Sequence, residues 1–136
     1  MNTDFLLKWE NELRSGKYEQ GQGYLSKDGK YCCLGVLCEM LVSEGLLEKF
    51  EEKDSIKYGR AKDDKMLPAE ALNLVGISGF GRFDSTKLSE EIRYLTKEHE
   101  YLDNLNDIVK LNFKQIADVI DNITSNDAWL VYSMRS

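Results

Sequence analysis

The chain has 136 residues, 42% of them hydrophobic, with a single proline and a formal net charge of −6. That length lets one core bury most of its apolar surface without disulfides or metals, and the composition excludes a disordered chain. The acidic balance weighs against wrapping duplex nucleic acid, which needs lysine and arginine against phosphate, so no direct duplex binding is expected; competition for a basic groove on another protein, as a mimic of nucleic acid, stays open.

The start, "MNTDFLLKWENEL", lacks the basic end and small-residue cleavage site of a secretory signal. The expected location is therefore the cytoplasm, where three cysteines stay reduced. Phe5, Leu6, Trp9 and Leu13 fall on one helical face, which predicts a helix over 3–15 capped by Asn2 or Thr3 and closed by Gly16. Trp9 reads as a core anchor on that face.

The next stretch, "KYEQGQGYLSKDGKYCC", alternates weakly around Asp28-Gly29, the strongest short-range signal for a tight hairpin turn, and predicts a two-stranded ribbon. Gly21 and Gly23 flank Gln22 and suggest irregular backbone or a close approach before the first strand. From 34 to 47, Leu34, Leu37, Cys38, Leu41 and Val42 share a face that Val36 and Met40 widen, so this helix is expected to be the most buried element, with Glu39 and Glu44 on its wet side. The run "YCCLGVLCEMLV" is broken by Glu39 and falls short of the roughly 20 residues that a membrane span needs. No membrane association is expected.

"EKFEEKDSIKYGRAKDDK" reads as a charged loop with one short strand, Ile56 and Tyr58 facing inward. In "MLPAEALNLVG", Pro68 suits the first helical position and Gly76 the C-terminal cap, with Ala71, Leu72 and Val75 inside. "ISGFGRFDSTK" is a glycine-punctuated loop. Around Leu88, Ile92 and Leu95 the pattern fits a helix or a short strand over 92–96. Asn112 with Gln115 forms a capping box ahead of Phe113, Ile116, Ala117 and Ile120, a clean helical face. In the tail, Trp129, Val131 and Tyr132 fit an edge strand or a docking patch.

Three constellations bear on chemistry. Cys32 or Cys33 sits where the ribbon feeds the buried helix, a place where a helix dipole can activate a thiol. Catalysis there needs a base, and the one histidine, His99, lies in the polar context "KEHEY" and reads as a surface residue. The simpler reading is that the cysteines are small core residues. Zinc is not expected, because Cys32, Cys33 and Cys38 have no distant Cys or His pair, and no cofactor is expected, since "GFGRF" lacks the rest of a phosphate-loop or dinucleotide signature. In that loop Phe80 and Phe83 could stack on a base while Arg82 and Arg60 meet a phosphate, or the phenylalanines could anchor the loop to the core. Asn106 and Asp107 precede the capping box and read as turn formers, or as side chains bonding the backbone of the hairpin or of the cysteine helix.

Taken together, "WENELRSGKYEQGQGYLSKDGKYCCLGVLCEM", then "YG…MLP", then "LNDI…NFKQIADVID" resemble a family of small proteins of unassigned function found widely in bacteriophages and prophages. The likeness runs from Trp9 to Asp121 in order and spacing, with a longer "HEYLDN" connection than the family pattern. A weaker likeness, confined to "QG…DGKYCCLGVL" and "LND", reaches an actinobacterial family that also lacks an assigned activity. Neither resemblance carries catalytic residues; what they imply is a phage accessory gene.

The expected fold is a single α+β domain over 1–136, a small antiparallel ribbon or sheet packed against several helices with the helix of about 34–47 at its centre. The expected function is a phage-type accessory protein that binds, inhibiting host antiviral defence by sequestering a nucleotide-derived signal or by blocking a host defence protein. Arg60, Phe80, Arg82, Phe83, Asn106 and Asp107 are the candidate ligand residues. Homo-oligomerisation through Trp129 and Tyr132 would be one way to build a pocket. The alternative is a cysteine-dependent hydrolase or transferase using Cys32 or Cys33 with His99. If phage-encoded, either would work in the host cytoplasm.

Overall fold

The computed structural model describes residues 2–60 and 64–130. Val131 and Tyr132, read above as part of a tail strand or docking patch, lie outside the described residues.

Helix α1 spans Thr3–Arg14, and the Asn2 side chain accepts the N–H groups of Asp4 and Phe5, which otherwise lack helical partners. Leu6, Trp9 and Leu13 are buried on its inner face together with Glu10. Strands β1 (Ser26–Lys27) and β2 (Lys30–Tyr31) pair antiparallel. Between them Asp28 (φ 54°) and Gly29 (φ 76°) both take the left-handed conformation, which is the turn whose twist matches the strands it joins.

The ribbon delivers the chain into α2, Cys33–Ser43, buried on almost every side. It stops four residues before the predicted 47. Gly45 turns left-handed (φ 75°), its N–H bonds Val42 O at 3.0 Å, and the Leu46 N–H bonds Leu41 O at 3.0 Å. That pair of bonds is a Schellman closure, so the carbonyls a longer helix would use are already taken. At its other end α2 needs Gly35, because a Cβ there would collide with the carbonyl of Leu25. Glu39, expected on the wet side, is instead half-buried and accepts from the Tyr58 hydroxyl at 2.6 Å and from Lys49 Nζ at 3.1 Å.

Residues read as a loop with one strand form a complete hairpin, β3 (Lys49–Glu51) and β4 (Ile56–Tyr58). All of β3 is exposed, so its sequence carries no apolar alternation to announce it. Helix α3 covers Ala69–Val75, with Pro68 as the N-cap residue rather than the first helical one, and closes at Gly76 (φ 88°). A 3-10 turn, Ser85–Lys87, leads to α4, Glu90–Thr96, which settles the choice over 92–96 for helix. Helix α5, Leu102–Asp107, was not anticipated; α6, Phe113–Ser125, carries the predicted capping box in full.

The fold is α+β, with two small antiparallel ribbons against six α-helices among the described residues and α2 at the centre. Helix α1 packs on α6 and α2, and α2 on α5. Each fully buried leucine or isoleucine in that shared core is worth roughly 1.5–3 kcal/mol over an exposed one. Trp129 lies inside it, stacked on Trp9 with ring centroids 6.5 Å apart, rather than on the surface. No helix among the described residues is long and apolar enough to cross a membrane.

Candidate functional site

Where the ribbon enters α2, the cysteines hold the fold. Cys32 is the N-cap residue, and its Sγ accepts the Gly35 N–H at 3.4 Å. Cys33 is fully buried; its Sγ donates to Leu102 O at 3.6 Å and its carbonyl accepts the Trp9 indole N–H at 2.9 Å. Burial pushes the Cys32 thiol up to about 12 and holds the Cys33 and Cys38 thiols well above their ordinary range, so none is a ready thiolate. His99 sits half-buried in the turn after α4, its main-chain N–H bonded to Thr96 O at 3.1 Å. No hydrogen bond joins it to a cysteine among the described residues.

Asn106 is the node of this region and is completely buried. Its Oδ1 accepts from Gln20 Nε2 at 2.8 Å and from the Cys33 N–H at 3.3 Å, while its Nδ2 donates to Gly21 O and to Asp107 Oδ1, both at 2.8 Å. Two acceptor and two donor positions are thereby filled, which is the whole capacity of a primary amide. Gln20 Nε2 also reaches Leu111 O at 2.8 Å, closing the knot against the start of α6. The expected backbone bonds to the hairpin approach and to the cysteine helix are both present. They leave Asn106 no group to offer a ligand, and Asp107, half-buried beside it, accepts the Asn106 amide. In front of them, burial raises the Asp103 carboxyl above its usual range.

The glycine-punctuated loop is stitched to α5. The Phe83 N–H bonds Glu100 O at 2.9 Å, the Leu102 N–H bonds Gly81 O at 3.1 Å, and Phe83 bridges Trp129 with its ring closed to solvent. Phe80 is half-buried; Arg82 is exposed with its guanidinium 5.8 Å from the Tyr101 ring centre. Gly81 (φ 71°) lies so close to the Leu102 side chain that a Cβ would sit 2.8 Å from it. Of the two phenylalanines, then, Phe83 anchors the loop. Arg60 lines a different feature, the groove described next, in which neither phenylalanine takes part.

That groove encloses about 900 Å³ and opens to solvent. One wall is the turn that closes α2, Gly45 to Leu47; the next is Glu48 and Phe50 of the outer hairpin; the far wall is Ala69, Glu70 and Asn73 of α3. Gly59 and Arg60 form its end, where the Glu70 carboxylate packs against the bare Cα of Gly59 and accepts the Arg60 N–H at 2.9 Å. Leu46 is 44% and Phe50 49% exposed, so two large apolar side chains face water at its rim. Glu48 makes no ion pair among the described residues. Sequence reasoning singled out Arg60 but passed over Leu46, Glu48 and Phe50, because exposed leucine and phenylalanine inside a charged run look like any surface. No group of three or more His, Cys, Asp or Glu placed to hold a metal occurs among the described residues.

A family model described as a domain of unknown function, DUF8296, matches residues 1–124, and the chain belongs to that family. No curated protein and no solved structure matches it.

Proposed function

Starting from membership of a family without an assigned activity, we propose that this is a phage-type accessory protein that acts by binding, and that it inhibits host antiviral defence by blocking a host defence protein. The phage and defence parts of the reading rest on the family resemblance of the sequence. The observation that supports binding to a protein is the groove between the α2 turn, the outer hairpin and α3, with Leu46 and Phe50 exposed beside the carboxylates of Glu48 and Glu70. Exposed apolar side chains next to like charges suit a partner segment that brings an apolar anchor and basic residues. A nucleotide-derived signal is the weaker ligand class for this groove, since its phosphates would meet two glutamates and a single arginine. The alternative chemistry, hydrolysis or transfer by Cys32 or Cys33, draws no support from thiols that are buried, protonated and unconnected to His99.

The test is phage plating on hosts that carry individual defence systems, with and without the protein. On at least one such host the wild type is expected to restore plating, and Leu46→Asp combined with Glu48→Lys to lose that effect while remaining folded. Native mass spectrometry of protein from that host is expected to show a complex with a host protein. A reproducible small extra mass would replace the protein target by a sequestered signal. Fast labelling of a cysteine by a thiol reagent in the folded protein at neutral pH would revive the enzyme reading.

A further inference from the structure

The outer hairpin has one edge that the fold leaves open, and its register says what fits there. The Gly59 N–H bonds Glu48 O at 2.8 Å and the Glu52 N–H bonds Ser55 O at 2.9 Å, while Phe50 lies opposite Lys57 between them. In an antiparallel pair the residues that exchange hydrogen bonds alternate with residues that do not. Phe50 therefore points its N–H and C=O at β4, and Lys49 and Glu51 point theirs away, where no other described residue bonds them. Side chains alternate as well: Lys49 and Glu51 share the face that carries Tyr58, and Phe50 lies on the opposite, groove face with Glu48 and its register partner Lys57.

We propose that a second copy of this chain pairs on that edge, β3 against β3 in antiparallel register about Phe50, to give a two-fold dimer with a four-stranded sheet. The outward groups of Lys49 then exchange hydrogen bonds with those of the second copy's Glu51, and the reverse, which satisfies all four outward pairs at once. The same register sets each Lys49 ammonium beside the second copy's Glu51 carboxylate, so the strand is complementary in charge to itself, as an interface of two-fold symmetry requires. Glu51 has no ion-pair partner within the described chain, whereas Lys49 already touches Glu39 and its positive charge is held on this face. On the opposite face the two Phe50 rings become a close cross-strand pair, covering side chains that are 49% exposed in the single chain. Glu48 would face the second copy's Glu52, and Lys57, 3.6 Å from Glu52 in its own chain, offsets that contact. Each groove would thus gain Phe50 of the second copy on its rim. The inference stands on the register of β3 and not on what the groove binds.

Sedimentation velocity on the full chain, from low micromolar to millimolar concentration, tests it. The wild type is expected to pass from monomer to dimer over that range, with the amide protons of Lys49 and Glu51 exchanging more slowly as the dimer forms. Glu51→Lys, which places lysine against lysine twice, should weaken the dimer at least tenfold, and Lys49→Glu with Glu51→Lys should restore it. Phe50→Asp, at an exposed site, is a second single variant that should leave a folded monomer. A wild type that stays monomeric at millimolar concentration overturns the proposal. So does a dimer that neither Glu51→Lys nor Phe50→Asp weakens, since its contact then lies elsewhere.

Discussion

At the start of α2, Cys32, Cys33 and Asn106 turn their polar groups inward onto other parts of the chain; along β3, Lys49 and Glu51 turn their backbone groups outward onto water. The first region holds the residue types that usually carry chemistry, yet among the described residues no buried side-chain nitrogen or oxygen lacks a hydrogen bond. The second holds an ordinary charged run and keeps exposed apolar area beside an open groove. The difference teaches that reactive residue types mark a site only when a group is left over. Here the cysteine and amide groups are consumed in holding four distant segments together. Substitutions should therefore divide: large losses of stability around α2, and small ones along the groove rim, where the cost falls on binding.

The largest loss is expected for Gly35→Ala. Its methyl group would overlap the Leu25 carbonyl, and neither the hairpin backbone nor the buried helix can retreat cheaply. A destabilisation above about 3 kcal/mol is expected in urea unfolding, beyond the usual range for overpacking because the clash is with backbone. A change below about 1 kcal/mol would mean that α2 and the Leu25 backbone entering β1 slide past one another, and the contrast between a rigid inner region and an open outer one would fail. Asn106→Ala comes next. It strands the Cys33 N–H, the Gly21 carbonyl and Gln20 in a closed space, at roughly 2–4 kcal/mol from a protein whose whole stability is of the order of 5–15 kcal/mol.

Glu10 sharpens the comparison in a different way, because it is a buried acid that the fold does not neutralise with an opposite charge of its own. It lies on the inner face of α1 against α6, and burial first, then the nearby Asp121, raises its carboxyl from 4.5 to about 7, with Arg14 acting in the opposite direction. The folded state therefore holds this proton more tightly than the unfolded chain does. The stability Glu10 contributes is present in full below about 4.5 and is lost as pH rises through about 7. Over that window stability should fall by roughly 1–3 kcal/mol from this group, measured as a decrease in urea midpoint between pH 5 and pH 8. Glu10→Gln should remove most of that slope and make the protein more stable than wild type at pH 8. Burial moves Asp103 in the same direction, so a small residual slope of the same sign is expected in the variant.

What the sequence made legible were features decided within a few residues. Asp28-Gly29 announces its turn because two consecutive left-handed residues are needed there, and Asn112 with Gln115 announces α6 because both halves of the box lie in one turn. The central position of α2 followed from its all-round apolar character. Its end at Ser43 did not, since that depends on bonds from Gly45 and Leu46 back to Val42 and Leu41. Helix α5 has six residues, too few to establish a period, and β3 buries nothing. Asn106 was noticed as a polar residue without an evident packing role, and its two possible partners were named; that both bonds form at once, across 73 and 85 residues of chain, is a property of the tertiary fold. The groove was the least legible, because it exists only where the α2 turn, the hairpin and α3 converge.

The smallest effect is expected at the groove rim, and it is the one that decides whether the two regions differ in kind. Leu46 is 44% exposed, so about half of its apolar area is already paid to water in the folded state. Leu46→Ser removes little burial and opens no closed cavity, and its residue position follows the left-handed Gly45, where the backbone bond from Leu46 to Leu41 does not involve the side chain. A stability change within about 0.5 kcal/mol is therefore expected by urea unfolding at pH 7. If Leu46→Ser instead costs as much as Asn106→Ala, the Leu46 side chain is a structural strut and the exposed apolar rim loses its claim as a binding surface. If stability holds while rescue of phage plating falls, the same residue is shown to be idle in folding and required in function, which is what separates an interaction surface from a core.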